Sequence, residues 1–237
     1  MAIVETKNFS FDLDTYKNIL RKSSLFRDIP EDKYGAVLNC LQARIEYYPA
    51  GTHIVNEGDR DFYAGMLLDG SLEEFIYDEN VNPVSISHLE SGSIFGAELT
   101  CGNTLASQYY LNASVDSKVL LLDFQILLNT STLSCPNRMQ VTANLLQEFA
   151  NQITFFNTKV RILSQKKLRN KIKVYLQTQE ISEDGTIQIP FSRNKMAEFL
   201  YVDRSALSRE LCRMRDSGIL AFSGSKITIV DRNFLIE

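Results

Sequence analysis

The chain has 237 residues, 44% hydrophobic and 23% charged, which is enough for two domains with a core in each and excludes a disordered or fibrous protein. No apolar run approaches the roughly 18 residues of a membrane span, and the opening Met-Ala-Ile-Val-Glu-Thr-Lys lacks the pattern of a secretory signal, so a cytoplasmic protein is expected. The formal net charge of −4 is unevenly spread: residues 159–237 hold 15 Lys/Arg and 9 Asp/Glu, a surplus of +6, whereas residues 1–158 sum to −10.

Two helical patterns come first, Thr15 to Leu25 and Glu31 to Leu41, with Pro30 at the break. Short apolar segments then alternate with glycine turns: 44–48, 53–55, 62–68, 71–77, 84–89, 111–115 and 118–123. Closely spaced strands with such turns predict a sandwich or barrel. Cys40, Cys101, Cys135 and Cys212 show no C-x-x-C spacing, so they are read as buried free thiols and no zinc site or cysteine-bound iron–sulfur cluster is expected.

Between 136 and 164, Met139, Thr142, Leu146, Phe149, Ile153, Phe156, Val160 and Leu163 recur at alternating steps of three and four. That is a heptad seam, and it predicts a long helix that pairs with its copy in a second subunit. Pro136 stands at the helix start, where its missing N–H costs little. Val141, Leu145, Phe155 and Ile162 lie off the seam and are expected to pack on the domain before the helix.

Near the C-terminus, Ser192 is placed to cap a helix with Met196, Ala197, Phe199 and Leu200 on one face, and Asp203 to cap a second with Ala206, Leu207, Leu211 and Met214. Only Tyr201 and Val202 separate them. The short connection makes the helices cross and leaves the outer face of the second, with Arg204, Ser205, Ser208 and Arg209, free to meet base edges in a DNA major groove. Gly218 closes that helix, and 219–222, 223–225 and 226–230 read as strand, turn, strand, which makes the unit a winged helix. Ser192, Arg193, Lys195, Ser225 and Lys226 are positioned as phosphate contacts, which fix register without reading sequence. The +6 surplus is the electrostatic footprint this needs.

The order of parts resembles the Crp/Fnr superfamily of bacterial transcription regulators over nearly the whole chain. The motifs that carry the resemblance are Pro-Ala-Gly-Thr…Glu-Gly-Asp at 49–59, Leu-Asp-Gly-Ser-Leu at 68–72, Ser-Gly-Ser-Ile-Phe-Gly-Ala-Glu-Leu at 91–99 and Asp-Arg-Ser-Ala-Leu-Ser-Arg-Glu-Leu at 203–211. It implies an α+β protein with a cyclic-nucleotide-binding-like β-roll effector domain at 1–135, a dimerisation helix at 136–164 and a winged helix-turn-helix at 165–237. It also implies a homodimer on a two-fold-symmetric double-stranded operator, a small-molecule effector, and RNA polymerase as a partner. Arg204 and Arg209 match arginines that read guanine in the cyclic-AMP-responsive branch, and Ser208 a base-contacting serine of the oxygen-responsive branch. Ser205 departs from the glutamate many members have, so the half-site is expected to differ from those of both branches.

The effector site departs further. The resemblance places it around Gly96, Glu98, Ser107, Gln108, Tyr109, Tyr110, Phe156 and Asn157. Ala97 follows Gly96, so Glu98 stands one position late for a ribose contact, and Ser107-Gln108 occupy the place of an arginine-serine phosphate clamp. No Arg or Lys occurs from 61 to 117. A buried cyclic phosphate without a cation carries an uncompensated desolvation cost, so cyclic AMP is not expected. A neutral aromatic or weakly acidic organic ligand near Tyr109, Tyr110 and Phe156 is compatible with the family, and so is a role for those rings as core. No cofactor is expected: the N-terminal cysteine cluster of the iron–sulfur branch is missing, and His53 and His88, on predicted strands, are read as satisfied or exposed imidazoles rather than as haem ligands. No nucleophile elbow, P-loop or H-E-x-x-H motif suggests an enzyme. The alternative reading is a ligand-binding module that acts on a protein partner without touching DNA, against which the basic C-terminal part argues.

Overall fold

The computed structural model describes residues 13–60, 63–102, 105–128, 137–189, 192–224 and 226–236. Two units divide after Ala150. The first contains α1 (Leu13–Lys22), 3-10 turns at Ser24–Phe26 and Glu31–Lys33, α2 (Tyr34–Cys40), β1 (Arg44–Tyr48), β2 (His53–Val55), β3 (Ala64–Asp69), β4 (Leu72–Tyr77), β5 (Pro83–Leu89), β6 (Ile94–Phe95), α3 (Ala97–Cys101), β7 (Tyr110–Ala113), β8 (Ser117–Leu122), α4 (Gln125–Leu128) and the start of α5 (Arg138–Leu163). The strands pair antiparallel into two four-stranded sheets, β1-β8-β3-β6 and β2-β7-β4-β5.

Side-chain alternation along β3 and β8 explains the layering. Successive residues of a strand face opposite sides of its sheet. Leu67, Val119 and Leu121 therefore meet Leu72, Leu111 and Ala113 of the facing sheet in one core, while Met66, Leu68, Leu120 and Leu122 meet Leu20, Phe26, Val37 and Leu38 of the helical segments in another. Both faces of these strands are covered, so they read as continuous apolar runs rather than alternating ones. Val141 and Leu145 of α5 join the helical core, and Asn144 Nδ2 donates to the Leu25 and Arg27 carbonyls at 2.9 and 2.8 Å.

The second unit holds the rest of α5, then α6 (Leu168–Gln177), β9 (Thr186–Gln188), α7 (Arg193–Leu200), α8 (Arg204–Asp216), β10 (Leu220–Ser223), β11 (Lys226–Ile229) and α9 (Asn233–Ile236). The expected wing hairpin is present with Phe222 opposite Ile227, and it has a third strand, β9, paired to β11. Gly218, at φ +71°, ends α8. The Ile219 and Gly218 amides donate back to the Met214 and Arg215 carbonyls at 3.0 and 2.9 Å, satisfying two orphan acceptors of the last turn.

Several expectations need correction. Asp203 occupies the N-cap of α8, but its side chain makes no capping bond, whereas Ser192 Oγ does accept from the Lys195 amide. Ile162 and Phe155 do not pack backwards onto the β-roll: Ile162 is buried in the second unit's core and Phe155 lies 6.1 Å from Phe199 of α7, because a helix that runs through both units turns different residues to each. Cys40 is not a free thiol but disulfide-bonded. Spacing along the chain does not limit which thiols a fold can bring together. Cys101 and Cys212 are free and partly exposed rather than buried. Pro136, Cys135 and Ser225 lie outside the described residues.

Candidate nucleic-acid interface and effector site

The winged helix is built so that one end of α8 stays uncovered. Leu207, Leu211 and Met214 face the core with Met196, Ala197 and Leu200 of α7, and Tyr201, at φ +52°, turns the chain between the two helices. The opposite side of α8 presents Arg204, Ser205 and Arg209 to solvent, with Ser208 partly covered at their flank. These four are brought together as expected. Ser192, Lys195 and Lys226 are exposed at the start of α7 and in the wing, while Arg193 is partly buried with its guanidinium 4.1 Å from the Phe222 ring centroid.

Two ties that sequence reading missed brace α7 and α8. Arg169 Nε of α6 donates to Glu210 Oε1 at 2.7 Å, and Arg213 Nη1 approaches Glu210 Oε2 at 3.5 Å; the Glu210 carboxylate is largely buried between them. Lys171 Nζ donates to the Leu200 carbonyl at 3.1 Å, closing the end of α7. Phe199 on the far side of α7 packs 5.5 Å from Tyr175, with Lys159 Nζ of α5 5.0 Å from its ring centroid. A signal existed for the first tie only: Glu210 sits in a helix of arginines, the one acidic residue between Arg204 and Arg215.

The seam and flank of α5 separate by exposure. Leu146, Ile153 and Val160 are 69, 61 and 66% exposed, and Met139 and Phe156 are exposed with them, whereas Val141, Leu145 and Ile162 are buried. Phe149 departs from the seam by packing against the helical core, and Leu163 is half-buried. An uncovered apolar row of this length on an ordered helix is unfavourable in water unless another surface covers it.

In the β-roll, Gly96, Glu98, Ser107 and Tyr109 lie close together. Gly96, at φ +68°, approaches the Tyr63 carbonyl so closely that a Cβ has no room, so its place is set by the backbone. Tyr109 Oη donates to Glu98 Oε1 at 2.6 Å, and Ser87 Oγ donates to Glu74 Oε2. Glu74, in register with Leu111, shares that strand's inward side. Burial, with the charges of Glu98 and Glu74 beside it, pushes the Tyr109 phenol far above its usual range, which keeps it a proton donor. The Ser107 hydroxyl, 3% exposed as a residue, donates to the Tyr109 carbonyl at 2.8 Å and accepts from its amide, so it closes a turn. Gln108 is exposed.

Tyr110 does not join this group. It stacks on Phe75 at 5.3 Å and meets Tyr77 and His53 edge-on, on the face of β7 opposite Leu111, because adjacent strand residues point apart. Phe156 and Asn157 are exposed on the second unit. Glu74 and Ser87 went unnoticed in the sequence, where they are two polar positions in amphipathic strands. His88 Nε2 lies 2.9 Å from Ser71 Oγ. Among the described residues no three His, Cys, Asp or Glu side chains cluster as metal ligands, and no helix is long and apolar enough to cross a membrane.

Residues 169–237 match a sequence family described as "Crp-like helix-turn-helix domain". Similar solved structures include FixK2 from Bradyrhizobium japonicum, 19% identical, covering 82% of this chain and 96% of that one at TM-score 0.57. A mutant of CooA from Carboxydothermus hydrogenoformans is 16% identical and covers 84% and 92% at TM-score 0.64. The catabolite activator protein of Thermus thermophilus is 19% identical and covers 91% and 97% at TM-score 0.51. Over 111 residues, 46% of the chain, the sequence is 29% identical to cGMP-dependent protein kinase 2 of Homo sapiens and of Mus musculus, and spans only 14% of their length. The C-terminal residues thus match the Crp-like helix-turn-helix family, and the chain as a whole, a β-roll followed by a long helix and a winged helix, shares the fold of these solved structures.

Proposed function

We propose that this protein is a homodimeric, sequence-specific DNA-binding transcription regulator of the cytoplasm, not an enzyme, that works with RNA polymerase at a two-fold-symmetric operator. The observation that carries the reading is the exposed Arg204, Ser205, Ser208 and Arg209 face of α8 within a unit of charge +6. Two recognition helices, one per subunit, then read two half-sites, and the exposed α5 row is the surface that pairs them. Ser192, Arg193, Lys195, Ser225 and Lys226 hold phosphates around each.

The β-roll is read as the effector domain, with a ligand that is neither cyclic AMP nor cyclic GMP. The similar kinases are named for cyclic GMP, but Glu98 and Glu74 flank the Tyr109 phenol here, and a buried phosphate beside two carboxylates is repelled as well as desolvated. The same carboxylates disfavour a weakly acidic ligand, so a neutral or cationic one fits better. No cofactor is invoked.

The test is selection of duplexes from a randomised library by the full chain, followed by titration of the selected and a mixed-sequence duplex over a range of salt. A selected, palindromic site bound about a thousandfold or more tighter than the mixed duplex is expected. Failure to retain any duplex at low salt leaves the protein-partner reading in its place.

A further inference from the structure

Three elements of the winged helix converge on one ring. Phe222 lies on β10. Arg193, the first residue of α7, holds its guanidinium carbon 4.1 Å from the ring centroid, and Arg215, in the last turn of α8, holds its own at 5.4 Å. The ring is partly buried against the second unit's core, so the core sets its position. A guanidinium is attracted to the negative face of an aromatic ring and gives up little hydration there. Two cations gathered at one ring repel each other, and Asp216 offsets part of this by accepting from Arg215 Nε and Nη2 at 3.0 and 2.9 Å.

The position of Arg215 on α8 gives the cluster its meaning. At about 100° per residue, Arg204, Ser208 and Arg215 fall within about 40° of one another on the helix surface, so they form one stripe. Arg215 stands about 16 Å further along the axis than Arg204. A helix that lays its first turns against base edges in the major groove brings its last turn to the edge of the groove, where phosphates are. Arg193 comes to the same edge from the N-terminus of α7, beside the backbone amides that Ser192 caps. The Arg215 side chain is 49% exposed and the Arg193 residue is partly so, which leaves donors of each available.

We infer that Phe222 is a positioning residue that holds Arg193 and Arg215 as a pair of contacts to the DNA backbone. The inference rests on the DNA-binding reading. Phe222 fixes the guanidinium orientations before DNA arrives, so less side-chain freedom is lost on binding. Such contacts serve every sequence alike.

The experiment uses the full chain, a duplex selected from a randomised library and a mixed-sequence duplex. Phe222→Leu keeps an apolar side chain against the core but removes the ring face, and Phe222→Tyr keeps the face. Phe222→Leu is expected to weaken both duplexes by about fivefold, with Phe222→Tyr close to the unaltered chain. Arg215→Gln is expected to make the slope of log affinity against log salt shallower by about one unit per subunit. Equal behaviour of the leucine and tyrosine variants, a loss confined to the selected duplex, or an unchanged slope for Arg215→Gln in a chain that still binds DNA overturns the inference alone. Failure of the unaltered chain to bind either duplex overturns the DNA-binding reading beneath it.

Discussion

The two units treat their polar groups in opposite ways. In the β-roll the carboxylates turn inward and are met by the chain's own hydroxyls, Tyr109 on Glu98 and Ser87 on Glu74, and Ser107 spends its hydroxyl on a turn. In the winged helix Glu210, the one well-covered carboxylate among the described residues, serves to brace the helix through Arg169, while Arg204 and Arg209 face solvent. A site whose polar groups already satisfy one another is selective about what displaces them. A surface of unburied guanidinium groups receives any anion whose spacing matches. The first pattern suits an effector site that rejects phosphates and the second a site that gathers them.

The largest effect that can break this contrast is on the helix shared by the two units. Ile153→Asp places a charge in the exposed row proposed to pair subunits, and an unpaired charge in such an interface costs about 3–5 kcal/mol. The variant is expected to sediment as a monomer at micromolar concentration and to lose selected-duplex binding. An unaltered chain that is already monomeric, or an aspartate variant that remains dimeric, removes the seam from the reading.

Leu67→Ala comes next. Leu67 is fully buried between the β-roll sheets, and truncating it is expected to cost about 2–5 kcal/mol. Melting followed by residue-resolved hydrogen exchange is expected to show protection falling in β3, β4 and β8 while α7 and α8 keep theirs. Equal loss in both units contradicts their division into separate cooperative bodies.

Arg209→Ala is expected to lower affinity for a selected duplex by about 1–3 kcal/mol and to relax preference at one guanine. Lys226→Ala is expected instead to weaken all duplexes and to reduce the salt slope by about one unit per subunit. An Arg209→Ala effect that is uniform over a panel of half-site variants assigns Arg209 to phosphate and moves the base-reading face elsewhere.

The smallest expected effect is none. A ligand at a hundred times its Kd stabilises a protein by about 2.7 kcal/mol, so millimolar cyclic AMP or cyclic GMP is a sensitive probe of the acidic site. Neither is expected to shift the thermal midpoint. A clear rise with either nucleotide shows that the carboxylates around Tyr109 do not exclude a phosphate.

Much of the fold was legible because it is written in periodicity. The apolar runs at 44–48 and 53–55 became β1 and β2 at those bounds, and Ser192 and Gly218 marked the start of α7 and the end of α8 through local backbone requirements that need no tertiary partner. The heptad spacing on α5 likewise distinguished Leu146, Ile153 and Val160 from Val141 and Leu145. Less was legible where a short strand or an isolated polar residue depended on a distant partner. β9 has three residues and exists because β11 offers it an edge. Glu74 is an unremarkable strand glutamate until its register with Leu111 turns it toward Tyr109.

The sequence by itself determined the order of the parts, the opposite charges of the two units and the exposed arginines at the start of α8, since these follow from residue type, spacing and a 3.6- or 2-residue repeat. Only the tertiary structure decided that Tyr110 leaves the Tyr109–Glu98 group for an outer aromatic cluster, that Phe155 and Ile162 serve the winged helix, and that Arg193 and Arg215 meet on Phe222. Periodicity says which residues share a face of one element. Which face meets which partner is settled by packing between residues far apart in the chain, and no local pattern records that choice.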